Sequence, residues 1–160
     1  MSGDVIVAYL DSNAFIMAVE TRGRDEQAVA RLFSGEEALR LRRITSELTI
    51  AEVLAGPSRK NDPRLERAYL SLIVGQGLVE VQPVSRSVLI ETARYRSRAN
   101  QGSMTGADRR NFLPDAVHVV TAIESRCTVF VTNDKRIPLP DGMRRVTPTA
   151  DGIRALLETS

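Results

Sequence analysis

A chain of 160 residues, 42% hydrophobic and 26% charged, is enough for one globular domain with a single core, expected to span residues 1–160. Cys127 is the only cysteine, which excludes a disulfide framework and a cysteine-based metal site. The opening MSGDVIVAYLDS lacks the basic start of a signal peptide, and no apolar run approaches the ~20 residues of a membrane span, so the chain is expected to be cytoplasmic with no membrane partner.

Net charge is only +2, yet Lys60 and Lys135 are the only lysines among 22 basic side chains. The planar arginine fork suits phosphate and carboxylate. GC-rich codon usage would give the same overall bias, so only local arginine clusters bear on function.

In chain order, Val5-Ile6-Val7-Ala8-Tyr9-Leu10 is nearly all apolar and stops at Asp11. That is how a strand buried on both faces of a parallel sheet reads. Ser12-Asn13 can cap a helix beginning at Ala14. From Asp25 to Arg42, apolar Ala28, Leu32, Ala38 and Leu39 among charges predict one or two amphipathic helices with a break near Gly35. Arg43-Ile44-Thr45-Ser46 predicts a short strand. The following helix carries Leu48, Ala51, Val53 and Leu54 and is expected to stop at Gly56-Pro57. Asp62-Pro63 starts another, striped by Leu65, Ala68, Tyr69, Leu72 and Ile73 and closed by Gly75 and Gly77.

Leu78-Val79-Glu80-Val81 reads as a strand, and Ser85 begins a helix reaching about Asn100. Gln101 to Arg110 is polar and glycine-containing, as in a loop. Pro114 is expected to open an apolar helix through Ile123, and Cys127-Thr128-Val129-Phe130-Val131-Thr132 is a second buried strand ending at Asn133-Asp134. Val146 fits a last short strand, and Thr149 to Leu157 a terminal helix. Strands alternating with helices throughout predict an α/β domain with a mainly parallel central sheet and helices on both faces.

In such sheets ligands bind outside the carboxyl ends of the strands. Asp11 and Asp134 lie at two such ends. Glu52 and Asp115 interrupt otherwise apolar helices, where an acid must be paired, exposed or bound to a cation. Each acid also has a structural explanation. Asp11 can cap the next helix, Glu52 can face water, Asp115 can sit on a helix dipole, and Asn133-Asp134 can be a turn. Two unit charges ~4 Å apart repel by about 4 kcal/mol at an effective dielectric near 20, so converging carboxylates need protons or cations between them. Oxygen-only ligation with water suits Mg²⁺ or Mn²⁺.

Four ordered segments resemble the PIN-domain nuclease family. They are Tyr9-Leu10-Asp11-Ser12-Asn13, Ser46-Glu47-Leu48-Thr49-Ile50-Ala51-Glu52-Val53-Leu54, Leu113-Pro114-Asp115-Ala116-Val117-His118 and Val131-Thr132-Asn133-Asp134. The likeness is greatest to stand-alone VapC-type toxins of toxin–antitoxin pairs. It implies a three-layer PIN-like domain in which Asp11, Glu52, Asp115 and Asp134 hold Mg²⁺ or Mn²⁺ and carry catalysis, with Thr132 or Asn133 positioning the fourth acid or a bound water. It further implies endoribonuclease activity on RNA, a cognate antitoxin that covers the helices after Asp11 and Glu52, and a homodimer. The segment Gln101 to Arg110 departs from the family in being more polar and longer.

Ser12, beside the first acid, and Arg109 and Arg110, just before the third, are the candidate substrate contacts, since cations there would hold phosphates that carboxylates repel. Arg94, Arg96 and Arg98 form a weaker cluster, and few aromatic residues are interleaved for base stacking. His118 could pair with Asp115 as Asp-x-x-His, but the resemblance places it in a packed helix. Cys127, Phe15 and Met17 are expected in the core. Competing readings are an aspartyl phosphatase, which lacks the D-x-D pattern, and a non-catalytic RNA-binding or receiver-like regulatory module, which lacks paired early acids and a late strand-end lysine.

Overall fold

The computed structural model describes residues 5–37, 40–99 and 106–158, and of residues 106–111 the backbone alone. Five parallel strands form one sheet in the order β3-β2-β1-β4-β5: β1 Ile6–Leu10, β2 Leu41–Ser46, β3 Val79–Gln82, β4 Val129–Val131 and β5 Arg144–Val146. The helices are α1 Ser12–Glu20, α2 Arg24–Arg31, α3 Glu47–Lys60, α4 Pro63–Leu70, α5 Arg86–Ala99, α6 Gly106–Glu124 and α7 Ala150–Glu158.

Strand alternation sorts the core into two faces. Ala8, Leu10, Leu41, Val129 and Val131 pack with Phe15, Val29, Val53, Tyr69, Ile153 and Leu156 of the helices on one side. Tyr9, Ile44 and Phe130 face the other side and meet Val119 and Ala122 of α6. The result is three layers, with β1 and β4 buried on both faces, which is why their sequences are apolar without a polar alternate. Phe15 and Cys127 are buried as expected, and Met17 packs against the core.

Several element boundaries differ from expectation. Helix α1 starts at Ser12, because Asp11 itself takes the cap position. Strand β2 begins at Leu41, two residues before the predicted Arg43. Gly56-Pro57 does not stop α3, which continues to Lys60 and ends where Asn61 turns left-handed at φ 52°. Pro57 is buried there, so packing offsets the single lost backbone bond. Pro114 does not open α6, which already runs from Gly106 through part of the predicted loop. Ala38, Leu39 and residues 100–105 lie outside the described residues.

The chain runs β1, β2, β3 in one direction and then returns to place β4 on the far side of β1. The order therefore reverses between β1 and β4, and the crevice at their carboxyl ends is the switch point where α/β sheets bind ligands. Leu10 pairs with Val131, so both strands release their next residues side by side.

Candidate functional site

Asp11 is buried just past β1, and its backbone N–H donates to Val131 O at 3.3 Å. Its Oδ1 accepts the N–H groups of Asn13 at 2.9 Å and Ala14 at 3.4 Å, and Asn13 Nδ2 donates to Oδ2 at 3.4 Å. The first turn of α1 thus holds the carboxylate by capping and by its dipole. Burial nonetheless raises the Asp11 pKa, against the lowering effect of a hydrogen bond from the Thr132 side chain.

Thr132 is fully buried after β4, and its Oγ1 also accepts the Asp134 N–H at 3.0 Å. That hydroxyl therefore stands between the first acid and the last. Asp134 is held by Arg136, whose backbone N–H and Nε donate to Oδ1 at 2.8 and 3.0 Å and whose Nη2 donates to Oδ2 at 2.8 Å. This clamp keeps the Asp134 pKa below the usual carboxylate range. Arg145 of β5 pins the same loop by donating to the carbonyls of Asp134 and Ile137.

Glu52 reaches the crevice from α3. The start of that helix is tied to β1 because Thr45 Oγ1 donates to Leu10 O at 2.7 Å and shares a 2.8 Å hydrogen bond with the Thr49 hydroxyl. Glu52 Oε2 lies 2.8 Å from Nε2 of His118, which is buried on α6. Asp115, one turn earlier on α6, is half-buried, and its pKa is raised from 3.8 to about 6. The causes are burial first, then the charge of Asp134; Glu52 and Asp11 add to it, and a charge on His118 opposes it. Asp115 therefore lies within the fields of the other three predicted acids.

They do not stand as a finished ligand set. Among the described residues no group of three or more His, Cys, Asp or Glu side chains is disposed to hold a metal ion as it stands. Glu52 is turned to His118 and Asp134 to Arg136. The donor chemistry still fits a hard divalent cation, because the acids are oxygen ligands and both Asp11 and Asp115 are pushed toward the protonated form.

Ser12 is half-buried in the first turn of α1, and Asn133 is exposed. The side chains of Arg109 and Arg110 lie outside the described residues. In the weaker cluster, Arg94 pairs with Glu91. His118 is packed, as the resemblance implied, but its polar edge faces Glu52 rather than Asp115. Sequence reasoning missed Tyr9, Arg136 and Arg145. The Asp134-x-Arg136 spacing and a phenol in a doubly buried strand were the available signals. Among the described residues no helix is long and apolar enough to cross a membrane.

An all-parallel α/β sheet with an acidic cluster at its switch point defines the class. Within it, the chain belongs to the PIN-domain family, whose model matches residues 8–142 and whose members are generally nucleases that use divalent metals. No curated protein matches the sequence significantly. Solved structures share the fold at low identity. VapBC2 from Rickettsia felis, bound to a promoter DNA fragment, has TM-score 0.63 and 18% identity over 89% of this chain and 98% of its own. A toxin–antitoxin complex from Klebsiella pneumoniae has TM-score 0.60 and 20% identity over 88% and 97%. VapC20 from Mycobacterium tuberculosis, a sarcin–ricin loop cleaving toxin, has TM-score 0.61 and 12% identity over 81% and 92%.

Proposed function

We propose that the chain is a Mg²⁺- or Mn²⁺-dependent endoribonuclease acting as the toxin of a toxin–antitoxin pair. The observation that supports the reading is half-buried Asp115 at the switch point, raised to about 6 by burial first and then by Asp134, with Glu52 and Asp11 adding to it. A cation among the carboxylates would relieve the cost of ionising Asp115 at neutral pH. Asp11, Glu52, Asp115 and Asp134 would hold it. When bound, the metal supplies an activated water and charge neutralisation for hydrolysis of a phosphodiester.

The remaining work falls to the chain itself. The α1 amides orient Asp11, the Thr132 hydroxyl sets Asp11 against Asp134, and Arg145 holds the loop that carries Asp134. Asp134 would give up the Arg136 clamp to hold the cation. Ser12, Arg109 and Arg110 contact RNA phosphates, and Asn133 lies at the rim. Two similar folds come from structures described as a toxin–antitoxin complex and as a cleaving toxin, which supports a toxin role here. Exposed Ile16 on α1 and Leu70 and Val74 at and beyond the end of α4 offer apolar surface to an antitoxin or a second copy.

Asp11→Asn decides the matter, because asparagine caps a helix as well as aspartate and the fold should survive. The variant should lose both metal-dependent RNA cleavage and growth arrest on induction. Arrest of growth equal to the parent protein, or RNA cleavage that persists in EDTA, would overturn the reading.

A further inference from the structure

Tyr9 and His118 meet in the part of the site that the proposed chemistry leaves unused. Tyr9 is fully buried in β1, on the sheet face opposite Leu10. Its ring stacks on Phe130 at 5.0 Å and 21° and tilts on His118 at 5.7 Å and 60°. The phenol oxygen lies 2.6 Å from His118 Nδ1, and His118 Nε2 lies 2.8 Å from Glu52 Oε2. A phenol, an imidazole and a carboxylate thus run in one line from the sheet to the acidic cluster.

We propose that Tyr9 and His118 form a buried relay that fixes the tautomer of His118 and, through it, the orientation of the Glu52 carboxylate. Both are positioning residues, and the consequence for metal binding rests on the reading under Proposed function. The direction of the hydrogen bonds follows from the chemistry of the groups. The Glu52 carboxylate can only accept, so Nε2 must donate to it, and the bare Nδ1 of the neutral ring then accepts from the Tyr9 hydroxyl. The imidazole nitrogen that accepts from it carries no hydrogen. In the neutral ring the hydrogen is therefore on Nε2, which is the atom facing Glu52. The opposite tautomer would set a bare nitrogen lone pair against a carboxylate. Glu52 has three side-chain torsions and reaches the cluster from a helix, so a fixed N–H donor removes freedom that cation binding would otherwise have to freeze. Packing alone explains a buried ring but not a phenol and a carboxylate aligned on its two nitrogens.

His118 is the only histidine in the chain, so a long-range ¹H–¹⁵N correlation spectrum of the labelled protein contains one imidazole pattern. At pH 8 that pattern should be the Nε2–H tautomer, it should become mixed in Tyr9→Phe, and its Nε2 resonance should move in Glu52→Gln. An Nδ1–H pattern in the parent protein, or one unchanged by Tyr9→Phe, overturns the relay.

Mn²⁺ titration by calorimetry supplies the second measurement. Partners that orient metal-binding groups are worth about 10–100-fold in affinity, so His118→Leu should weaken Mn²⁺ at least tenfold. His118→Gln, whose amide nitrogen can take the place of Nε2, should stay within about threefold. Equal affinity of the parent and both variants also overturns the relay. If the parent binds no Mn²⁺, the metal reading falls, while the tautomer and its response to Tyr9→Phe still decide the relay.

Discussion

Asp115 is the acid on which the fields of the others fall, and removing its charge should stabilise the metal-free protein. Its pKa rises from 3.8 to about 6. A shift of roughly 2 units at 1.36 kcal/mol each sets a ceiling of ~3 kcal/mol, and solvent screening of a half-buried group halves this to about 1.5 kcal/mol. A carboxyl with a raised folded pKa binds its proton more tightly when folded. Stability is therefore highest below the unfolded value near 4 and declines as the pH climbs through about 6. Asp115→Asn should exceed the parent protein in EDTA by about 0.5 kcal/mol at pH 4.5, where roughly a third of the penalty is already present, and by about 1.5 kcal/mol at pH 8, or roughly 3–6 °C in Tm for a domain of this size. Adding Mn²⁺ should reverse the order, because ligand bound to the folded parent at 100 times its Kd contributes about 2.7 kcal/mol and the variant loses much of that gain. Thermal melts at the two pH values, with and without Mn²⁺, read all four quantities. A variant less stable than its parent at pH 8 in EDTA, or an identical pH slope for the two, would refute the reasoning.

Two further substitutions test the supports of the site. Thr132→Val keeps the buried shape but removes the hydroxyl between Asp11 and Asp134; it should cost ~1–3 kcal/mol in urea unfolding and lower RNA cleavage at least tenfold, and full activity would show that the link is dispensable. Arg43 is a buried strand arginine that donates to the carbonyls of Leu32, Leu41 and Ser34. Arg43→Met leaves those acceptors without their donor, so the urea midpoint should fall by the equivalent of about 3 kcal/mol, and a loss under ~1 kcal/mol would contradict the count.

The fold and the four acids were legible because they depend on local pattern. A doubly buried strand must be apolar, and β1 and β4 declare themselves in Val5 to Leu10 and Cys127 to Thr132. A strand-end acid follows directly from such a run. The two prolines misled because their penalty is local and modest. Pro57 is buried in α3, and Pro114 sits two turns inside α6, where the rest of the helix outweighs one missing bond. The partners of the acids were less legible because they are tertiary. His118 showed its spacing to Asp115, yet its hydrogen bond goes to Glu52, 66 residues away. Arg43 gives no sign in sequence that it meets the carbonyls that close α2.

Those partners also set Asp115 apart from the other three acids. Asp11 has the amides of α1 and the Thr132 hydroxyl, Glu52 has His118, and Asp134 has Arg136. Each acid thus has a structural role of the kind that could explain it singly. Asp115 fits that account less well, because burial first, and then the charges of Asp134, Glu52 and Asp11, push its pKa upward. A domain selected for stability alone would place an asparagine or an apolar side chain at that helix position. An acid there at a cost of about 1.5 kcal/mol is understandable if a bound cation offsets its charge. The convergence at the switch point is therefore stronger ground for a cation site than any single motif, and Asp115, rather than the better-ordered Asp11, is its most diagnostic residue.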